Sequence, residues 1–191
     1  FRLGDTLTEV PNLLYDELPR FAPECFAWIQ NPSPSQFKRF KAGMDQLLQE
    51  GVVQRFVLPQ EKLRAPLLGA VGPLQFDVLQ YRLQTEYGVG TRLETAPWRV
   101  TRWLDDPQTQ LTETDLPTGA QWAWDLAGLP VILFPDDWSC RYFLECHPEV
   151  ALQTLPPRTP LTAASSTPHA ARVGEPLTPL PSGLFTWGPF A

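Results

Sequence analysis

Apolar residues recur every three to four positions in two stretches of the first hundred residues, and this spacing predicts two amphipathic helices. The first helix is expected to start at Pro34, with Ser33 as its cap and Gln36 as the capping-box partner, and to end at Gly51. Its apolar residues lie on one face: Phe37, Phe40, Met44, Leu47 and Leu48.

The second helix is predicted over residues 73–87, where Pro73 suits the first helical position and Gly88 ends the helix. Its inward face is expected to hold Phe76, Leu79, Leu83 and Tyr87, with Val78 alongside. Four strands are predicted around the helices, at residues 21–30, 52–58, 66–71 and 89–95. The order β-α-β-β-α-β predicts an α+β fold, the ferredoxin-like split βαβ plait, with both helices on one face of a four-stranded antiparallel sheet.

The rest of the chain is less regular. Strands are predicted at 98–104 and 131–134, whereas 139–145 fits a helix or a strand, and we expect a smaller α+β unit whose element order stays open. From residue 153 onward Pro, Thr, Ser and Ala dominate, a composition typical of a disordered tail. The predicted units are therefore a ferredoxin-like domain at 16–98, an α+β subdomain at 99–152 and a tail at 153–191.

Composition narrows the class of protein. The chain is 43% hydrophobic, which favours a globular protein, and no run approaches the ~18 apolar residues of a membrane helix. Its net charge is −6, and an acidic protein lacks the long-range field of a dedicated nucleic-acid binder. The chain has three cysteines, an odd number that does not suggest a disulfide framework, so reduced thiols and a cytoplasmic location are expected. The start lacks a Met and a signal segment, and we expect Phe1 to lie inside a longer polypeptide.

A glycine-rich turn joins the third strand to the second helix, between Gly69 and Gly72. Glycine is expected there because the backbone bends sharply where a side chain would clash. A nucleotide site would add a Gly-Lys-Ser/Thr sequence or a dinucleotide spacing, and both are missing. The turn is interpreted as structural, and no cofactor is predicted for these residues.

Candidate catalytic and metal-binding residues are sparse. Cys140, Cys146 and His147 lack the second pair of ligands that zinc sites need. The acidic pairs 105–106 and 136–137 are typical of solvated loops rather than of a general acid and base. No catalytic group can be assembled, so this chain is predicted not to be an enzyme by itself.

A cluster of basic residues is the candidate surface for contact with phosphate or a partner, with a solvated charged face as the alternative: Lys38, Arg39, Lys41, Arg55, Lys62 and Arg64. Plaits that read single-stranded RNA use exposed aromatic residues on the sheet, and the third strand at 65–70 has none. Sequence-specific readout of nucleic acid is therefore not expected.

Several segments resemble one family. Residues 1–9 resemble the closing strand of the β-barrel domain of translational GTPases, so residues 1–15 are assigned to the remnant of that strand and a linker. Residues 21–24, 50–56 and 69–88 closely resemble the C-terminal domain of bacterial class II release factors, the peptide chain release factor 3 family. Within the motif Gly69, Gly72, Gln75, Phe76 and Asp77, the last three favour this family over elongation factor G.

The resemblance implies a GTPase of translation termination that promotes recycling of the codon-reading release factors from the ribosome. It implies that GTP and Mg²⁺ bind to an N-terminal GTPase domain outside these residues. The expected partners are the ribosome, those release factors and the chain's own GTPase domain, and not a membrane. These residues would dock on the ribosome and relay the nucleotide state. The alternatives are the equivalent domain of another translational GTPase, such as an elongation factor G relative, or a free-standing plait that is an enzyme or a ligand-binding domain.

Overall fold

A computed structural model of the chain describes residues 8–9, 21–59, 65–106, 111 and 113–157. The helices within these residues are α1 (Phe37–Gln49), α2 (Pro73–Tyr87) and α3 (Asp137–Cys146). The strands are β1 (Cys25–Gln30), β2 (Gln54–Phe56), β3 (Leu67–Ala70), β4 (Arg92–Thr95), β5 (Val100–Leu104), β6 (Gln121–Trp124), β7 (Pro130–Phe134) and β8 (Leu152–Gln153). None of these helices is long and apolar enough to span a bilayer. The predicted strand remnant and tail fall largely outside the described residues.

The first sheet has the order β2-β3-β1-β4, and every neighbouring pair is antiparallel. This is the sheet order of the split βαβ plait, so the predicted fold class is confirmed. Both helices lie on one face of the sheet, because residues of α1 and α2 share a core with inward residues of β1 and β3. That core includes Phe40, Met44, Leu47, Leu79, Leu83, Ile29 and Leu68.

The C-terminus of α1 agrees fully with the prediction, and the N-terminus agrees in position but not in its capping bond. Its C-terminus closes with Gly51 in the left-handed region at φ 72°, and the Val52 N–H donates to the Leu47 carbonyl at 3.1 Å. At the N-terminus Ser33 is the cap residue and Pro34 the first helical residue, as predicted, but the Ser33 side chain makes no capping bond, and the Ser33 N–H donates to Asn31 Oδ1 at 3.0 Å. The Asn31 side chain thus stabilises the turn before the helix, and a short 3₁₀ segment, Pro34–Gln36, precedes α1.

The other face of the first sheet is covered by a second sheet. Successive side chains of a strand point to opposite faces, so Ile29 contacts the helices while Phe26 turns away from them. The core on this side joins residues of both sheets: Phe26, Phe56, Leu67, Ala96, Trp98, Trp103, Ala123, Val131 and Leu133. Ring centroids of Phe26 and Phe56 lie 5.6 Å apart in an edge-on arrangement.

The second sheet has the order β6-β7-β5-β8, again antiparallel. The ambiguous segment 139–145 is helical, because the Asp136 side chain accepts a hydrogen bond from the Ser139 N–H at 2.7 Å and starts α3. Phe143 and Cys140 of α3 then pack on the sheet face opposite to the shared core. Gln153, which the prediction assigned to the tail, pairs with Trp103 in the sheet.

Two polar links join the sheets beside the shared core. Val57 and Trp124 form a reciprocal pair of backbone hydrogen bonds at 2.8 and 2.9 Å. The buried Thr101 hydroxyl donates to the Pro23 carbonyl at 3.1 Å, across 78 residues of chain. The layers are thus a helix pair, two sheets and a single helix, and residues of both predicted units contribute to the core between the sheets.

Candidate functional site

The basic residues of α1 flank a residue that anchors the helix. Lys38 and Arg39 are exposed and Lys41 is half-buried, whereas Phe40 is 2% exposed and packs on the sheet. Arg39 reaches the C-terminal end of α2, because a Cβ at Gly88 would lie 3.8 Å from its guanidinium. Lys38, Arg39 and Lys41 are called the α1 basic surface from here on.

The other three predicted basic residues do not extend this surface within the described part of the chain. Arg55 lies in β2, pairs across the strand with Leu68 and is only 8% exposed. A buried guanidinium is held inside the fold and is not presented to a phosphate backbone. Lys62 and Arg64 fall outside the described residues.

Gly69 is required for close packing and not for a sharp turn. It lies inside β3, and a Cβ at this position would lie 2.7 Å from Phe56 Cε2 and 2.9 Å from Pro23 Cβ. Gly72 caps α2 in an extended conformation at φ −150°, with no atom within 4 Å of an added Cβ. The expectation of a clash therefore applies to the first glycine of the motif and is wrong for the second.

The remaining motif residues support the start of α2. Gln75 Oε1 accepts a hydrogen bond from the Val71 N–H at 2.6 Å and so closes the turn from inside the helix. Phe76 is 8% exposed in the core shared with α1, and Asp77 is exposed on the outside of the helix. Gln75 and Phe76 have structural roles here, which leaves Asp77 as the motif residue open to a partner.

The turn at 69–72 does not fit a bound nucleotide. A phosphate loop presents several backbone N–H groups and a lysine to the phosphates. Here Pro73 has no N–H, Gln75 occupies the Val71 N–H, and no lysine follows. We therefore assign no part of GTP or Mg²⁺ binding to these residues.

The sheet face that RNA-binding plaits use is covered in this fold. Phe26, Phe56 and Leu67 point to that face, and each is at most 1% exposed beneath the second sheet. Bases therefore cannot stack on β1 and β3. Contact with nucleic acid would have to involve the helices or the loops.

The sulfur and acidic residues of the second half have structural explanations. Burial raises the pKa of the Cys140 thiol, and hydrogen bonds from Ser139 lower the pKa of the α3 cap Asp136. His147 lies 3.2 Å from the Glu149 carboxylate at the end of α3. Among the described residues no three His, Cys, Asp or Glu side chains are grouped to hold a metal ion.

One exposed feature of α2 was missed by the sequence reasoning. Leu74 and Tyr81 are 70% and 69% exposed, and Val78, which was expected beside the inward face, is 42% exposed. The three residues lie at positions i, i+4 and i+7, which is the spacing of one helix face. Their apolar spacing in the sequence was the available signal, but of the three residues only Val78 was placed, beside the inward face. Leu74, Val78 and Tyr81 are called the α2 apolar stripe.

Comparison with known proteins agrees with the fold. A model of the protein family described as "Class II release factor RF3, C-terminal domain" matches residues 15–144. Over 157 residues, 82% of this chain, it is 41% identical to the peptide chain release factor 3 of Cyanothece sp. and to that of Trichormus variabilis. The corresponding protein of Gloeothece citriformis is 37% identical over the same length.

The chain spans 29% of the length of these curated relatives. The family match covers both helices of the plait, the glycine motif and most of the second sheet. It favours the release-factor interpretation over elongation factor G. The chain belongs to the family of class II release factors and corresponds to their C-terminal domain.

Proposed function

We propose that this chain is the C-terminal portion of a translation-termination GTPase that promotes recycling of codon-reading release factors from the ribosome. The GTPase site, with GTP and Mg²⁺, is then in an N-terminal domain of the same polypeptide, and the protein acts in the cytoplasm. The observation that carries the proposal is the family match over residues 15–144. The poor fit of the glycine turn to a phosphate supports a role without nucleotide chemistry for these residues.

The relay part of the proposal is supported by the packing between the sheets. Because Phe56 of β2 and Trp103 of β5 are buried in one core, the sheets cannot slide past each other without opening it. The hydrogen bond from Thr101 to Pro23 adds a fixed point. A displacement applied to one side of the unit is therefore passed to the other as a rigid-body shift.

The docking part is supported by the α1 basic surface. Lys38 and Arg39 are exposed, so phosphates of ribosomal RNA can reach their charges without any opening of the fold. The helix that carries them is fixed by Phe40, Met44 and Leu47, each at most 2% exposed. Fixed cations on a packed helix hold the orientation of the whole unit, which a relay requires.

The experiment uses the full-length protein and measures ribosome binding over a range of salt concentrations. One variant reverses the charges of the α1 basic surface to Glu. The matched control reverses three exposed arginines elsewhere, Arg92, Arg99 and Arg141, and so has the same net charge. Loss of phosphate contacts should weaken binding and lower the slope of log K against log salt by about one per contact in the first variant only.

Ribosome-stimulated GTP hydrolysis and dissociation of the codon-reading factors are then measured on both variants. We expect the α1 variant to lose factor dissociation together with ribosome binding, while the control keeps both. Equal binding by the two variants would refute docking through α1. GTP hydrolysis by residues 1–191 alone would refute the assignment of the GTPase site to another domain.

A further inference from the structure

We propose that the α2 apolar stripe is an interdomain contact, covered in the complete protein by an apolar, weakly charged surface from the part of the polypeptide outside these residues. The inference rests on the proposed function only in taking this chain as one portion of a longer protein. Its basis is the exposure of Leu74, Val78 and Tyr81 on a helix that is apolar on two sides.

The α2 apolar stripe lies on the face of the helix opposite to its core face. Successive residues turn by about 100° around the helix axis, which places the centre of the stripe opposite to the fully buried Leu79 and Leu83. The outer face of a surface helix is usually charged and polar, so three large exposed apolar side chains grouped on that face of α2 indicate an interaction site. The described residues of this chain cover only the core face.

The size of the stripe distinguishes between kinds of partner. The exposed fractions of its three side chains correspond to roughly 350 Å² of mostly apolar surface, within the range of patches that are often functional. Contacts between domains of one chain bury about 600–1,500 Å² in total, so this patch supplies a large share of one side. A stable dimer of two copies needs about 800 Å² from each partner, which the stripe does not provide.

The charges around the stripe also favour a protein surface over ribosomal RNA. Asp77 and Arg82 flank it with opposite charges, and Arg82 is occupied by ion pairs with Glu50 and Glu86. A stripe with no net positive charge does not attract a phosphate backbone. The α1 basic surface carries three cations of this helix layer, whereas Arg82 of α2 is paired with two glutamates, so the two helices serve different partners.

The relatives are much longer than this chain, so a partner surface within the same polypeptide is available. More than two thirds of their length lies outside the region that this chain matches. A surface in the same polypeptide is present at a high effective concentration, so a patch of modest area is enough to hold it. A ribosomal protein would have to bind the same patch without that advantage.

The test is photo-crosslinking of the full-length protein in the absence of ribosomes. A benzophenone amino acid replaces Tyr81, and in a separate control it replaces Glu94, which is exposed on β4. We expect intramolecular crosslinks from position 81 to peptides outside residues 1–191, and few from position 94. The variant Leu74→Asp should lose the crosslink from position 81, whereas Gln84→Asp, exposed on the same helix outside the stripe, should keep it.

Three outcomes would overturn the proposal. They are the absence of such crosslinks, crosslinks only between two copies, or crosslinks that form only with ribosomal proteins after ribosomes are added. Leu74 is 70% exposed, so Leu74→Asp leaves the core intact, and a circular dichroism spectrum checks this. Because no ribosome is needed for the expected result, failure here is separate from failure of the α1 docking experiment.

Discussion

Alanine at position 69 is expected to destabilise the protein because it forces a methyl group into the core between the sheets. The added Cβ would lie 2.7 Å from Phe56 Cε2, whereas ordinary contacts begin at 3.4 Å, so the ring must retreat by about 0.7 Å. Phe56 is fully buried and packs edge-on against Phe26. Pro23 blocks the other side of the methyl group at 2.9 Å.

The magnitude follows from two opposing effects. Overpacking of a well-packed core costs about 1–3 kcal/mol. Replacement of glycine by alanine also restricts the unfolded chain, which stabilises by about 0.4–1 kcal/mol. Because Phe56 and Pro23 both crowd Gly69, the clash dominates. We expect Gly69→Ala to lower the free energy of unfolding by about 1–2 kcal/mol.

The assay is urea unfolding followed by tryptophan fluorescence, with Gly72→Ser as the matched control in the same motif. An added Cβ at Gly72 meets no atom within 4 Å, and serine is a preferred cap, so the control should be unchanged or more stable by a few tenths of a kcal/mol. Phe56→Leu in a double-mutant cycle should recover part of the loss. An unchanged urea midpoint for Gly69→Ala would refute the close-packing argument.

Two further changes test the contacts that hold the helices and the sheets. Hydrogen bonds from Arg82 lower the pKa of Glu50 and of Glu86, so their contribution to stability is present above the usual carboxyl pKa and is lost as the pH falls. Arg82→Met should therefore lower the urea midpoint at neutral pH and lose less stability on acidification than the unmodified protein; parallel pH profiles would contradict this. Thr101→Val removes the hydrogen bond to the Pro23 carbonyl and should cost about 1–3 kcal/mol in thermal unfolding, with an unchanged midpoint as the contrary result.

The sequence by itself determined the elements whose signals are local. The apolar spacing of residues 73–87 and the following Gly88 predicted α2 within its observed bounds, because helical periodicity and a left-handed terminus need only neighbouring residues. The order of the predicted helices and strands then indicated the split βαβ plait. The family resemblance depended on the same local motifs.

Tertiary structure decided which predicted faces are covered and by what. Arg55 lies in a predicted strand, but its burial depends on the packing around β2. Gly69 is needed because Phe56 and Pro23 approach it from other segments, which the spacing of the motif does not reveal. Val78 has the same apolar character as the core residues of α2, and only the position of the sheet shows that it faces outward. Side-chain periodicity identifies apolar faces, whereas long-range pairing decides which of them the fold itself covers.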